Sequence, residues 1–261
     1  MTAGAVQARA LQEGFQTLPT FTAYDILLIA AVSVHATVLA YLAQPRWKAF
    51  LLTLPIPFTL ASLSLGVRVS TTNLSGLILL LGYTYGVYYL HTRRRVPIVV
   101  CIVLCAVGYC AAGALVAPWL PDSDAAFWGL WAAVLILGIV LYRLMPHLRE
   151  PNHRSPLPVT LKLPLIAMVI FVLVVIKHYL QGFMTLFPMI GVVASYEGRH
   201  CLWTLTRQVP VIMMTLLPLM AAVRVLYPLV GIGLALAGGW VVFLMVLWPI
   251  TLRQYREAEG V

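Results

Sequence analysis

The run from Lys162 to His200, KLPLIAMVIFVLVVIKHYLQGFMTLFPMIGVVASYEGRH, is apolar for far longer than one helix needs, and is interrupted chemically only near its middle, by Lys177, His178 and Gln181. A bilayer core about 30 Å thick takes ~20 residues of helix, so the run predicts two closely joined membrane spans that turn near His178 to Gly182. Pro188 falls inside the second span. It lacks the N–H that an α-helix needs, and its ring clashes with the preceding turn. In a membrane such a break survives only where protein or a water-lined cavity receives the freed carbonyl. Pro188 therefore marks a site or a bend.

The earlier segment from Ala43 to Gly66, AQPRWKAFLLTLPIPFTLASLSLG, has the same character, with Pro55 and Pro57 inside it. Set beside FMTLFPMIGVVAS, its LLTLPIPFTLAS shares two apolar residues, Thr-Leu, a nearby proline and a later Ala-Ser. The pairing predicts an internal repeat with an offset of about 132 residues.

Composition fixes the class. At 62% hydrophobic and 10% charged, with a mean hydropathy of +0.95, the chain falls far from a soluble domain, whose charged fraction is about 25%. An all-α integral membrane protein is expected, in contact with the lipid bilayer. The formal charge of +9 would suggest nucleic acid in a soluble protein, but these basic residues cluster between apolar windows, where orientation and anionic lipid explain them. No nucleic-acid partner is expected. Cys101, Cys105, Cys110 and Cys201 have neither a disulfide framework nor a zinc spacing, and read as small packing residues. The N-terminal stretch lacks the apolar core of a cleaved signal, and suits a surface helix or a tail.

Apolar windows bounded by charge, Pro and Gly give about nine spans, at 24–43, 49–66, 74–91, 96–117, 125–144, 163–181, 183–197, 208–224 and 229–250. With that count most basic residues, among them Arg46, Lys48, Arg93 to Arg95, Arg207 and Arg253, fall on one side of the membrane; only Arg9, Arg68, Lys177 and Arg224 fall on the other. The positive-inside rule then sets the N-terminus outside and the C-terminus in the cytoplasm. Repeats starting five spans apart must cross in opposite directions. The expected organisation is an inverted-topology repeat, 4 + 1 + 4: a tail at 1–23, a first membrane repeat at 24–120, a linking span and basic loop at 121–162, a second repeat at 163–250, and a tail at 251–261. Such repeats recur in transporters, with sites near the midplane on discontinuous helices; they also build scaffolds. Gly82-x-x-x-Gly86, Gly108-x-x-x-Ala112 and Gly231-x-x-x-Ala235-x-x-x-Gly239 predict close helix approaches within a bundle or across a dimer face.

Candidate substrate-binding residues follow from depth and charge. His35 lies about ten residues into the first window, near mid-bilayer, where a titratable group is either functional or bonded to a neighbouring helix. Lys177 and His178 mark a turn whose lysine snorkels to the interface, or, with Arg68 and Arg224, an electropositive mouth for an anion. Arg46 and Lys48 stand at the matching turn of the first repeat. Glu197 reads as a proton-coupling group or as a partner for Arg199 or His200. Pro55, Pro57 and Pro188 complete the set, with a site expected between Pro57 and Pro188. No catalytic residue is assigned, since Ser195 has no identifiable Asp partner and no metal-hydrolase motif is present. A loop metal site from His147 and His153 is the weak alternative, and no metal or cofactor is expected.

Lys177, Tyr179, Gly182, Leu186-Phe187-Pro188, Ala194, Tyr196 and Pro218 carry a resemblance of the second half, from about 163 to 250, to the GlpM-type family of small bacterial inner-membrane proteins. The first half departs from that pattern: Pro55-Ile56-Pro57 replaces Phe-Pro, and Trp47 and Lys48 replace the turn residues. The resemblance implies a bacterial inner membrane, multi-pass, with about four spans per unit, and through the repeat a fused pair of such units. It carries no established activity. The functional expectation is a permease-like, non-enzymatic transport protein for a small anionic solute or ion, with proton coupling. The alternative is a scaffold subunit of an envelope or energy-converting complex, as a homodimer or with partner membrane subunits.

Overall fold

The computed structural model describes residues 23–148, 150–153, 157–177 and 188–259, and every regular element among them is helical. The tail before Ala23 and the expected turn at His178 to Gly182 lie outside the described residues. The chain runs α1 (Ala23–Tyr41), α2 (Pro45–Thr53), α3 (Ile56–Leu65), α4 (Thr71–Tyr88), α5 (Ile98–Val116), α6 (Asp124–Leu144), α7 (Val159–Lys177), α8 (Met189–Glu197) and α9 (Leu202–Glu259).

Local chemistry places the ends. Leu54 and Pro55 separate α2 from α3, as the missing proline N–H requires. Ser70 opens α4 with a capping box, its own N–H donating to Asn73 Oδ1 at 2.7 Å. Ser123 Oγ caps α6 by accepting from Ala126 N at 3.2 Å. Pro188 precedes α8 directly. Gly231, at φ 73°, interrupts α9, a conformation open to glycine and costly for other residues. Beyond it the helix folds back on its own first arm: a Cβ at Gly239 would lie 2.9 Å from Val223 Cγ2 and 3.2 Å from the Leu219 carbonyl. Gly86 makes a similar close approach, to Cys105 Sγ on α5. Both belong to the expected small-residue motifs, whereas Gly82 and Gly108 face open space.

Two cores hold the helices. Leu28 and Val32 of α1, Ile102 of α5, Ile166 and Ile170 of α7, and Ile190 and Ala194 of α8 form the first. Phe58 of α3, Phe127 and Val134 of α6, and Met213, Leu217 and Phe243 of α9 form the second. Helix α4 joins them, with Tyr83 and Val87 in one and Leu74 and Leu77 in the other. The outside is also apolar. Ile26, Val103, Leu165, Leu234 and Met245 are all more than half exposed, which fits a hydrocarbon solvent better than water.

The chain is thus an all-helical protein with helices built for a membrane. Among the described residues five segments can cross one by length and apolarity: Ala23–Tyr41, Pro45–Leu65, Ile98–Trp119, Asp124–Leu144 and Leu202–Arg253. That count corrects the nine expected. Thr71–Tyr88 is diluted by Thr, Asn, Ser and Tyr, and Val159–Val175 is shorter than a full span. The window at 183–197 enters the described residues only at Pro188, and Leu202–Arg253, counted as one segment, holds two helices that meet at the non-helical Gly231, so the expected windows at 208–224 and 229–250 both lie in it.

Candidate functional site

The break between α2 and α3 organises the polar groups around it. Pro55 has no N–H for the Leu51 carbonyl four residues back, so that oxygen is open to other donors. It receives Leu54 N at 3.1 Å and His35 Nε2 at 2.9 Å. Since a carbonyl only accepts, His35 must carry its proton on Nε2 there. Its Nδ1 is buried without a partner among the described residues, as is Ser33 Oγ. On the far side of the break, the Pro55 carbonyl accepts from Thr59 N and Thr59 Oγ1, and Trp240 Nε1 of α9 donates to that hydroxyl at 2.9 Å.

Two small cavities, each of about 70 Å³, flank this region. The inner one lies between Pro55 and Pro188 and is lined by Leu52 to Pro55, Pro57, Phe58, Thr84 and Pro188 to Gly191, with Val209, Ile212 and Leu216 of α9. Pro55, Pro57 and Pro188 therefore share one cavity. Its walls are apolar except for the hydroxyls of Thr53 and Thr84. The second is a cleft lined by Arg46, Phe50, His147, Trp203, Thr204, Arg207 and Gln208. Gln208 connects the two, because its Nε2 donates to Thr53 Oγ1 at 2.5 Å and both side chains are buried.

A buried charge cluster sits at the same end as the cleft. Lys162 Nζ meets Glu197 Oε2 at 2.7 Å, the two side chains 3% and 6% exposed. Lys48, 1% exposed, donates from Nζ to the backbone carbonyl of Glu197 at 3.2 Å. The Lys162 ammonium also lies 5.6 Å from the centre of the Tyr41 ring. Beside the cluster the rings of His153 and His200 are 4.4 Å apart. Burial is the largest effect lowering both histidines, and the charges of Arg199 and Lys48 lower them further, while Glu197 partly opposes this at His153. Burial pushes the nearby Cys201 thiol up to about 11. Glu150 fixes the start of α9 by accepting from Trp203 N at 3.1 Å and Thr204 N at 2.7 Å, an acid on a helix N-terminus.

The opposite end is locked by Arg224, 2% exposed. Its Nη2 meets Asp124 Oδ1 at 2.6 Å, its Nη1 donates to the Val69 carbonyl at 2.7 Å, and its guanidinium lies 4.1 Å from the centre of the Phe127 ring. Arg68 shares Asp124 at 3.3 Å.

The expected residues therefore separate into groups. The three prolines come together, with His35 behind the first break. Glu197 belongs to the other cluster, where its partner is Lys162 and not Arg199 or His200. Arg224 is engaged by acids at the far end. Lys177 closes α7; its side chain and His178 lie outside the described residues. His153 faces His200 and not His147, and no group of metal-ligating side chains occurs among the described residues. Thr53, Lys162 and Gln208 were missed by the sequence. Only Gln208 left a signal, as an uncharged polar residue inside an apolar run. No family model, curated protein or solved structure matches the chain.

Proposed function

We propose that the chain is a multi-pass inner-membrane transport protein of permease type that carries a small anionic solute. The observation that supports this is the Gln208–Thr53 contact, which joins a basic cleft bearing Arg46, Arg207 and His147 to a cavity between the Pro55 break and the Pro188 start of α8. Broken helices around a buried site suit alternating access, and basic walls favour an anion. At about 70 Å³ the inner cavity has room for a few waters, so this conformation is the closed one and the hydrogen bond is its gate. The cleft and the Arg93 to Arg95 loop face the cytoplasm in this reading.

An inverted relation between the halves has packing in its favour. Helix α1 lies on α7 and α4 on α9. These are two of the four pairs the repeat matches, and an approximate two-fold axis would bring them together. The GlpM-type resemblance of the second half accords with a fused pair of units.

The apolar lining of the inner cavity favours a second reading, a membrane scaffold subunit that transports nothing. Reconstitution decides between them. Purified protein in liposomes should show flux of small organic anions driven by a pH gradient, and Gln208→Leu should change its rate. Absent flux, together with stable co-purification of partner subunits, would establish the scaffold.

A further inference from the structure

The largest cavity described in the molecule is unrelated to the proline breaks. It is a groove of about 370 Å³ between α5, α7 and α8, within the ~300–1,000 Å³ of small-molecule sites. Along most of its length the walls are aliphatic: Val99, Ile102 and Val103 from α5, Leu165, Ile166 and Val169 from α7. Val99, Val103 and Leu165 are each more than half exposed, so the groove opens onto the apolar outer surface and not into the bundle. At one end it changes character. Lys162, Glu197 and Tyr196 line it there.

The charge at that end is unbalanced. Lys48 and Lys162 both place their ammonium groups on Glu197, one on its backbone carbonyl and one on its carboxylate, and all three side chains are buried. Among the described residues a single carboxylate is shared by the two buried cations, which leaves that end net positive. The surroundings add more of the same sign. Arg199 lies over the Tyr196 ring at 5.4 Å, and the exposed run Arg93 to Arg95 leads directly into the part of the chain that carries Val99.

We propose that this groove binds one anionic phospholipid, an acyl chain lying along the valines and leucines and the phosphate at the Lys162–Glu197 end. The sideways opening onto the lipid-facing surface selects an amphiphile over a soluble anion. The surplus of basic groups selects a negative headgroup over a zwitterionic one. The site is separate from the Thr53–Gln208 gate and stands whether or not the chain transports.

The test is native mass spectrometry of the full chain in detergent, titrated in separate arms with dioleoyl phosphatidylglycerol, dioleoyl phosphatidylcholine and inorganic phosphate. The expected result is a single phosphatidylglycerol adduct, tighter than the phosphatidylcholine adduct by roughly fivefold or more, and not displaced by millimolar phosphate. Val103→Trp, a change at an exposed position that fills the groove, should abolish that adduct. Lys162→Gln should remove the headgroup preference. Equal binding of the two lipids, a phosphatidylglycerol adduct undiminished in Val103→Trp, or displacement by phosphate alone would overturn the proposal. So would a dimer that Val103→Trp dissociates, since a second copy would then occupy the groove.

Discussion

Gln208 Nε2 donates to Thr53 Oγ1 at 2.5 Å, and so ties the first arm of α9 to the last turn of α2, where the proline break begins. The two ends of this bond have different alternatives. Thr53 Oγ1 also donates to the Ala49 carbonyl at 3.0 Å, so its own proton stays satisfied without Gln208. The Gln208 amide would be left buried with an open donor. Thr53→Val should therefore destabilise the protein by about 1–3 kcal/mol, and more than Gln208→Leu does. The double variant should cost less than the sum of the two, because each removes the same contact. Thermal unfolding in detergent measures all three, and additive losses would show that the bond is not a coupled pair.

His35 and Pro55 form a second linked pair. The histidine donates to the Leu51 carbonyl that Pro55 leaves open. His35→Leu should cost about 1 kcal/mol in the native sequence. In a Pro55→Ala background the restored alanine N–H can take the Leu51 carbonyl, so the same histidine substitution should cost less. Equal costs in both backgrounds would mean that His35 is held by packing alone.

How much of this was legible in the residues depends on the range of each interaction. The membrane class follows from composition, and the helix break at Pro55 and the start of α8 after Pro188 follow from a missing N–H, a property of the proline itself. The shared cavity follows less directly: the Thr-Leu-Pro likeness of two distant segments put Pro57 and Pro188 in one expected site, and they line one cavity. Charge pairing was not legible. Lys162 looked like a boundary residue and Arg224 like part of an open basic mouth, because sequence distance says nothing about which acid packs against a base. Asp124 and Glu197 reach them across the fold, 100 and 35 residues away. The span count failed for a related reason. An apolar window measures hydropathy, whereas α4 with its Thr, Asn and Tyr is kept inside the bundle by contacts with α5, α6 and α9.

The Lys162–Glu197 pair allows a sharper energetic test, since both side chains are almost wholly buried. Glu197→Gln removes the carboxylate that the buried Lys162 ammonium meets, and should destabilise by roughly 3–5 kcal/mol. Lys162→Met with Glu197→Leu removes both charges while keeping the backbone carbonyl that Lys48 uses. This double variant should recover most of the loss. A double variant as unstable as Glu197→Gln would show that Lys48 also depends on the carboxylate.

His153 and His200 make stability depend on pH. Their rings are 4.4 Å apart, and burial together with the neighbouring Arg199 and Lys48 lowers both below the ordinary value of 6.5. The folded protein thus resists protonation at a pH where the unfolded chain already takes up protons, so stability rises with pH across that window. The contribution is complete above about pH 6.5 and is lost as pH falls below it, through the depressed folded values. The unfolding temperature in detergent should therefore drop between about pH 7.5 and pH 5.5. His153→Gln removes one of the two titrating rings, and should flatten that drop. A variant whose unfolding temperature falls as steeply as that of the parent would place the pH dependence elsewhere in the molecule.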